Sequence, residues 1–534
     1  MNPTASFLRR ALRPFVCGAL PLTSSIALSL SSVAFAQEEG ELTASDANLA
    51  EGSESASASG EASATDGSAT DGSATDGSAV DGSGEASGGS LFESAGSDVS
   101  VTSDSGDVAL ELNGYVRGDV YVGVLPGTSE PGINAAYGEL SFQPKIKKGD
   151  WGSAFADLRF RYGQQLDRYD LFVDLREAYV NAYFGPVDLR LGKQVIAWGR
   201  ANGFNPTSNL APIDFRIRSP VEDDRRIGNM AARMFVNLLP VRIEGVWLPL
   251  YQATEFPTLQ LEPGISFVDP SYPVVSLRNG TFAGKVNVEL PSFEASLSYF
   301  NGNAPLPGLK YVDHQTGPEY YVQIQRASYR QHVIGADFAA VVGDLFGLTG
   351  EAALRIPMNQ ATTPWAAKQD MQWVLGIERE FGDVMIIAQY LGRYTFDWQP
   401  QYNVLGSVTD LRDNPAVQED GPNAATVRAQ NTDKIQQTIF NYNRIIFNQK
   451  YQFQTLASLR VEWKTLQERL SISALGLVNF NTSEWALFPK VSYRITGGLT
   501  GSVGAEIYMG PDDTLFGMIE DDLTAGYAEL RLSF

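Results

Sequence analysis

Residues 527–534 read Tyr-Ala-Glu-Leu-Arg-Leu-Ser-Phe, and this stretch decides the fold class because apolar and polar side chains alternate along it. Successive side chains of a β-strand point to opposite faces. One face carries Ala528, Leu530, Leu532 and Phe534, and the other carries Tyr527, Glu529, Arg531 and Ser533. A strand that meets hydrocarbon on one face and a polar lumen on the other needs this pattern, which therefore predicts a transmembrane β-barrel.

The beginning of the chain predicts export. Three arginines precede an apolar stretch of small residues that ends in Ala34-Phe35-Ala36, so we predict a signal peptide over residues 1–36. Cys17 lies inside it without the small preceding residue of a lipoprotein cleavage site, so we expect no lipidation. The final Phe534 resembles the terminal phenylalanine of bacterial outer-membrane proteins, which implies outer-membrane lipid and the barrel-assembly machinery as partners.

Residues 37–106 have the composition of a disordered tail. They are rich in Ser, Gly, Ala, Asp and Glu, and an Ala-Thr-Asp-Gly-Ser repeat starts at Ala64, Ala69 and Ala74. Such a segment buries too little apolar surface to offset the entropy of ordering, so we expect an acidic periplasmic tail and no plug domain. Its evenly spaced aspartates offer a calcium-binding alternative, but the calcium-binding β-helix repeat is nine residues long.

The formal net charge of −22 belongs mostly to this tail. Three arginines precede residue 37, and sixteen acidic residues without any lysine or arginine lie in residues 37–107, which leaves −9 for residues 108–534. This remainder gives no reason to expect a nucleic-acid partner. No run of about 18 apolar residues follows the signal peptide, which excludes a helical membrane protein.

From about Val108 onward, segments that alternate with a period of two are separated by connections of two lengths. Eight connections are short: residues 147–150, 185–186, 239–240, 291–292, 343–344, 382–383, 466–468 and 497–498. Longer ones lie around residues 125–133, 200–227, 251–280, 301–331, 395–450 and 510–523. Periplasmic turns are short and external loops long in outer-membrane barrels. Eight turns and nine loops predict an all-β, antiparallel transmembrane barrel of about 18 strands over residues 107–534, with 16 strands as the alternative.

The inward-facing positions of the predicted strands carry charges of both signs. Asp157, Arg159 and Arg161 share the inward face of one strand, and Arg460 and Glu462 share that of another. A barrel of this size is wide enough for an aqueous channel. Two interpretations stay open: the charges neutralise one another across the lumen, or they form a ladder for a substrate.

The densest local signal is residues 193–227, KQVIAWGRANGFNPTSNLAPIDFRIRSPVEDDRRI. Its Gly and Pro residues predict defined turns, and its Trp, Phe and Ile residues predict an apolar underside. If the segment folds inward, it brings both charge signs to a constriction, the arrangement by which pores select. The alternative is an external loop packed on the rim. The candidate pore-lining or substrate-contacting residues are Trp198, Arg200, Asn202, Asn205, Asp214, Arg216, Arg218, Glu222, Asp223, Asp224, Arg225 and Arg226, together with Arg159, Arg161 and Arg460 of the wall.

The same segment carries a family resemblance. The runs GKQVIAWGRANGFNPTSNLAPIDF (192–215), EDDRRIG (222–228) and EGVWLPLY (244–251) resemble a group of outer-membrane barrels classed as domain of unknown function 1302. The resemblance implies a pore or a lipid-type transport component that works with an inner-membrane exporter. It implies no catalytic residue, and the motif positions that carry over are Trp198, Gly199, Gly203, Asn205, Pro206 and Asp214.

Two further features concern the long loops. Ile435, Ile439, Tyr442 and Ile446 recur at helical spacing, which predicts a short helix capped by Asn431 or Thr432. We expect this helix to narrow the lumen or to lie over the mouth; an extension of the strand that starts near Lys450 is the alternative. His314 and His332 are the only histidines, and the mature chain has no cysteine, so we expect no catalytic site, metal site or cofactor.

The sequence therefore favours an outer-membrane channel or transporter for small solutes of unknown identity. A transporter of lipids or hydrophobic compounds is the alternative, because one long loop is apolar at Phe256, Leu259, Leu261, Ile265, Phe267, Val268, Tyr272, Val274 and Val275. A structural or adhesive barrel is a third possibility. The acidic tail leaves room for a periplasmic partner.

Overall fold

A computed structural model describes residues 101–104, 108–125, 130–166, 168–255, 264–317, 319–343, 345–404, 411, 414–511 and 514–534. The predicted signal peptide and most of the predicted tail lie outside these residues. The strands are β1 (Val101–Asp104), β2 (Val108–Val124), β3 (Pro131–Lys148), β4 (Gly152–Gln165), β5 (Arg168–Phe184), β6 (Val187–Gln194), β7 (Asn229–Leu238), β8 (Val241–Leu248), β9 (Ile265–Ser271), β10 (Thr281–Leu290), β11 (Phe293–Asn303), β12 (Gly308–Gln315), β13 (Tyr321–Ala327), β14 (Arg330–Val342), β15 (Phe346–Pro357), β16 (Asp370–Phe381), β17 (Val384–Thr395), β18 (Phe453–Thr465), β19 (Leu470–Asn479), β20 (Glu484–Arg494), β21 (Leu499–Met509) and β22 (Ala525–Ser533).

Eighteen of the described strands form one closed antiparallel barrel, which confirms the predicted fold class and strand number. Strands β2–β8, β10, β11 and β14–β22 pair with their neighbours in order, and β22 closes the ring on β2. The closing ladder runs from Tyr115 opposite Ser533 to Gly123 opposite Ala525. Closure leaves no sheet edge unpaired in hydrocarbon, where an unsatisfied backbone group costs several kcal/mol.

The rim with short turns agrees with the sequence at all eight predicted positions, because each lies between two consecutive barrel strands. Four of these turns place a glycine in the left-handed conformation, with φ of 51° at Gly149, 61° at Gly185, 55° at Gly343 and 61° at Gly382. A side chain there would be strained. The long connections lie at the opposite rim, so the two ends of the barrel differ as expected.

The faces of the strands also agree with the predicted alternation. On β4, Phe160 and Tyr162 are exposed on the outside, whereas Asp157, Arg159 and Arg161 are buried inside. On β18, Leu459 is likewise exposed and Arg460 buried. The outer surface is therefore apolar and the lumen is charged, as a barrel in a lipid bilayer requires.

Strand β1 corrects the predicted extent of the disordered tail, which included residues 101–104. This strand pairs with Ala109–Leu112 of β2. Phe534, the residue that follows β22, exchanges backbone hydrogen bonds with Gly114. The stretch of β2 before Gly114 therefore has no partner from β22. β1 takes up this free edge, which the composition of the tail does not reveal.

In the described ranges of the loops, two α-helices have defined bounds: α1 (Ala424–Ile446) and α2 (Leu515–Leu523). The predicted helix is confirmed in type, but the predicted cap is wrong, because α1 begins after Asn423 and has no side-chain cap there. Asn431 is instead buried within α1 and donates to the backbone oxygen of Val417. The first turns of α1 are mostly exposed. They therefore lack the apolar residues at helical spacing that predicted the second half of the helix. None of the helices in the described ranges is long and apolar enough to cross a bilayer.

The outer mouth of the barrel is covered by loops that pack on one another. Strands β9, β12 and β13 form a separate three-stranded sheet, in which β9 runs parallel to β13. A mouth cluster of buried apolar side chains joins these loops; it includes Phe204, Leu309, Ile324, Ile435 and Ile519. Since α1 contacts β12 and other loops, it lies over the mouth.

Candidate functional site

The segment between β6 and β7, residues 195–228, folds into the lumen; we call it the inward loop. Its side chains and backbone contact inward-facing residues of β2, β4, β5, β8, β11, β14, β15, β18 and β21. Of the two placements that the sequence left open, the structure therefore has the inward one.

One side of the inward loop is seated on an apolar part of the wall. Ile196, Trp198 and Leu210 are buried in one cluster with inward-facing residues of β7, β8, β10, β11, β14 and β15: Ala231, Val246, Leu248, Ala283, Phe300, Val333 and Ala353. The Trp198 indole Nε1 donates to Glu244 Oε2 at 3.2 Å. We call this arrangement the apolar seat. Trp198 was predicted to line the pore, and its contacts are instead those of a packed anchor.

Glu351 of β15 holds the motif that follows Trp198. Its carboxylate accepts hydrogen bonds from the backbone N–H and the hydroxyl of Thr207, both at 2.7 Å, and from the backbone N–H of Arg200 at 3.3 Å. Asn205, with its amide nitrogen toward this carboxylate, donates to it at 3.0 Å. Gly199 has a φ of 113°, and a Cβ there would lie 2.5 Å from Glu351 Oε2. The motif residues thus wrap a buried carboxylate.

The other side of the inward loop meets the wall through charges. Asp224 Oδ2 accepts from Arg117 of β2 at 2.6 Å, and Asp224 Oδ1 accepts from Arg159 of β4 at 2.6 Å. Asp223 is paired with Arg176 of β5. Burial by itself would raise the pKa of Asp224, but the guanidinium groups of Arg117 and Arg159 hold that pKa well below its ordinary value. We call these pairs the charged contact.

Two arginines of the loop extend the charged contact to β21. Arg218 and Arg225 donate to the two oxygens of Glu506, at 2.9 and 3.3 Å. Glu222 accepts from Arg225 at 3.1 Å, within the 3-10 helix Glu222–Arg225. The predicted residues at this end of the loop are therefore close together and paired.

The remaining predicted residues take three different positions. Arg200 pairs with Glu294 and Asp337 on the far wall, and Arg460 of β18 donates to Asn202 at 2.9 Å. Arg161 pairs with Glu139 of β3, beside the charged contact. Asp214 pairs with Arg216, two residues along the same loop, at 2.6 Å, so this pair belongs to the loop itself.

A cavity of about 130 Å³ lies between the inward loop and strands β15–β18. Phe204, Leu391 and Leu456 line its apolar part, and Arg226 lies at its polar part. Arg226 is only 5 % exposed, its Nε lies 3.3 Å from Asp223, and its two terminal nitrogens make no hydrogen bond within the described part of the chain. This guanidinium is available to an acceptor group of a small molecule in the cavity.

Several residues that form the site were not predicted as site residues: Arg117, Arg176, Asp337, Glu351 and Glu506. All five lie on the inward parity of their strands, which is the signal that would have found them. The two histidines lie elsewhere. His314 bonds Tyr311 and Glu419 among the external loops, and His332 bonds Tyr299 on the outside of the wall.

Comparison with known proteins finds no matching family model and no curated protein similar in sequence. Solved structures resemble the chain in three dimensions. OccAB1 of Acinetobacter baumannii aligns with a TM-score of 0.46 and 10% identity, over 80% of this chain and 96% of that one. OccK9 (OpdG) of Pseudomonas aeruginosa gives 0.46 and 10% over 80% and 97%. A BenF-like porin from Pseudomonas fluorescens Pf-5 gives 0.44 and 10% over 80% and 98%.

The architecture follows from the molecule's own surfaces. Its wall is a closed ring of paired strands, apolar outside and charged inside. A bilayer admits only structures that satisfy every backbone polar group internally, and a closed barrel is one of the two that do so. The chain is an outer-membrane β-barrel with a loop folded into its lumen.

Proposed function

We propose that the barrel is a channel for small polar solutes and that residues 200–227 form its constriction. The observation that carries this proposal is the position of Asp224, which reaches across the lumen to lie between Arg117 and Arg159. Fixed charges of both signs at a narrow point are the means by which pores select solutes. The charged side chains of the lumen support a hydrated path. A charge in an apolar environment is unfavourable unless it is paired or solvated, so these residues need water or a partner of opposite charge.

The constriction has a fixed part, at the apolar seat, and a movable part, at the charged contact. The apolar seat and Glu351 fix the root of the inward loop, so we infer that this part stays in place. The charged contact joins loop and wall through ion pairs and hydrogen bonds, including one from Arg176 to the backbone oxygen of Asp223, so a solute passes when these bonds break. The cavity beside Arg226 then offers an acidic or polar group of the solute a partner next to an apolar surface.

Single-channel recording in planar bilayers tests the proposal. Asp224→Asn removes the charge that the two arginines bind, so we expect a longer open time and a conductance at least about twofold above that of the parent protein. Hydrogen bonds to charged groups contribute about 1.5–3 kcal/mol, enough to shift an open–closed equilibrium about tenfold or more. Asp214→Asn is the matched control, since Asp214 pairs within the loop.

Two results would contradict the proposal. One is the same conductance and ion selectivity for the parent protein and for a variant that lacks residues 204–226. The other is an equal response of the Asp224→Asn and Asp214→Asn variants, because charge on the loop would then matter without contact to the wall.

A second candidate function is transport of lipids or hydrophobic compounds, and the mouth cluster is the observation that favours it. Apolar side chains of the inward loop, β12, β13, α1 and α2 are buried against one another there, so separation of these loops would present an apolar surface to a hydrophobic molecule. A barrel that never conducts ions but retains one acyl chain through purification would support this function and contradict the channel.

We infer further that the barrel transports and does not catalyse, and that residues 192–251 relate it to the barrels classed as domain of unknown function 1302. The motif in this range supports the relation because its residues wrap Glu351 in the lumen. Closure of β22 on β2 supports recognition of the last strand by the barrel-assembly machinery. An inner-membrane exporter or another periplasmic partner remains part of the same proposal.

A further inference from the structure

A segment of the long loop between β8 and β10 exposes apolar side chains at the outer rim. Val274, Val275 and Leu277 are 80 %, 67 % and 75 % exposed. A contiguous exposed apolar group on an ordered surface marks a site of interaction with a partner or with lipid. Its position on the outside of the wall separates it from the inward loop and the lumen.

The segment is held in one conformation. The Ser276 hydroxyl accepts from the backbone N–H of Asn279 at 3.2 Å and caps the short 3-10 helix Leu277–Asn279. The Asn279 side chain donates to the backbone oxygen of Val274 at 2.7 Å. These hydrogen bonds fix the backbone of the segment, so its exposed apolar side chains form an ordered surface.

This surface continues the part of the wall that faces lipid. β10 starts directly after the segment, and its outward residue Phe282 is exposed, as is Tyr299 on the neighbouring β11. Tyrosine and phenylalanine at the end of a barrel strand belong to the interface between hydrocarbon and headgroups. The apolar segment therefore lies at the level where acyl chains meet headgroups.

Two arginines stand beside the apolar segment without a carboxylate partner. Arg330 donates to the backbone oxygen of Arg278 at 3.3 Å and to Asn301 Oδ1 at 3.0 Å, both neutral acceptors. No ion pair joins Arg278 or Arg330 to any carboxylate within the described ranges of the chain. A guanidinium group binds phosphate through two parallel hydrogen bonds, and it keeps its charge at every physiological pH.

We propose that this outer-wall patch binds a phosphate-bearing lipid of the outer leaflet. Arg278 and Arg330 take the phosphate, and Val274, Val275 and Leu277 contact the acyl chains. Charge complementarity and continuity with the lipid-facing wall argue for this occupant over a second copy of the chain. This site is independent of the channel proposed for the lumen, and its test does not depend on conductance.

Native mass spectrometry of the full chain in a non-ionic detergent provides the test. Phosphatidic acid and phosphatidylcholine with the same acyl chains serve as probes. We expect the parent protein to retain one phosphatidic acid in preference to phosphatidylcholine. The Arg278→Gln/Arg330→Gln variant should bind phosphatidic acid on the order of tenfold more weakly, since it lacks the charge-assisted hydrogen bonds.

Further variants separate the parts of the patch. Arg469→Gln/Arg494→Gln removes two arginines at the opposite rim and should leave this binding unchanged. The Val274→Ser/Val275→Ser/Leu277→Ser variant should weaken the binding of both lipids. Equal affinity of the parent for both lipids would overturn the proposal, as would unchanged binding by Arg278→Gln/Arg330→Gln. Dimers or trimers of the parent that the serine variant dissociates would overturn it too, because the occupant would then be a second copy.

Discussion

On one side of the lumen the inward loop packs Trp198 against apolar wall residues, and on the other side it places Asp224 between two arginines. Burial of apolar surface has no directional partner to lose and persists in any salt or pH that keeps the barrel folded. Paired charges keep their strength only while both partners are ionised and in contact. The same loop therefore combines a permanent anchor with a contact that conditions are able to release.

The largest expected effect comes from breaking the apolar seat. Trp198→Ala should lower the free energy of unfolding by about 3–5 kcal/mol, because a large buried side chain leaves a cavity that the wall cannot fill. Urea unfolding in phospholipid vesicles, followed by far-UV circular dichroism, measures it. Trp151→Ala, in an exposed turn at the other rim, is the control. Equal losses for the two variants would mean that the seat contributes no anchor.

A smaller loss should follow from Glu351→Gln, which keeps the shape of the side chain. The variant amide keeps one acceptor oxygen and presents an NH2 donor in place of the other, so the donors at one of the two positions, Thr207 or Arg200, lose their acceptor, at about 1–3 kcal/mol. The same unfolding experiment measures it, with Glu289→Gln on β10 as control. Single-channel records of this variant should also show more frequent opening. If the variant had the opening frequency and the free energy of unfolding of the parent, Glu351 would not help to hold the loop in place.

Acid should release the charged contact without disturbing the seat. The pKa of Asp224 is depressed in the closed arrangement, so its stabilising effect is full above the pKa of a free aspartate, about 3.9, and falls as the pH drops through the depressed value. We expect constant conductance from pH 7 to about pH 4 and opening below that. In the Asp224→Asn variant this acid response should disappear. Opening that starts near pH 6 would show that another group controls the contact.

The difference between the two sides of the loop also explains what the sequence reveals. Alternation predicted the barrel, the turns and the inward direction of Arg159 and Arg460, because period two is a local property of each strand. The partners of Asp224 depend on which strands lie opposite in a closed ring, and no local pattern contains that information. Inward parity identifies both Arg117 and Glu351 as lumen charges, but only the fold shows that the motif after Trp198 wraps Glu351.

The smallest effect should come from the Asp214–Arg216 pair, which lies within the loop and outside the charged contact. Arg216 is about a third exposed and binds Asp214 two residues away, at 2.8 and 2.6 Å. A partly exposed ion pair contributes about 1 kcal/mol or less, so Arg216→Gln should change the free energy of unfolding by no more than that. Conductance should be unchanged, because neither residue takes part in the charged contact. If Arg216→Gln opened the channel as strongly as Asp224→Asn, the net charge of the loop would control opening, and the contact between Asp224 and its two arginines would lose its special role.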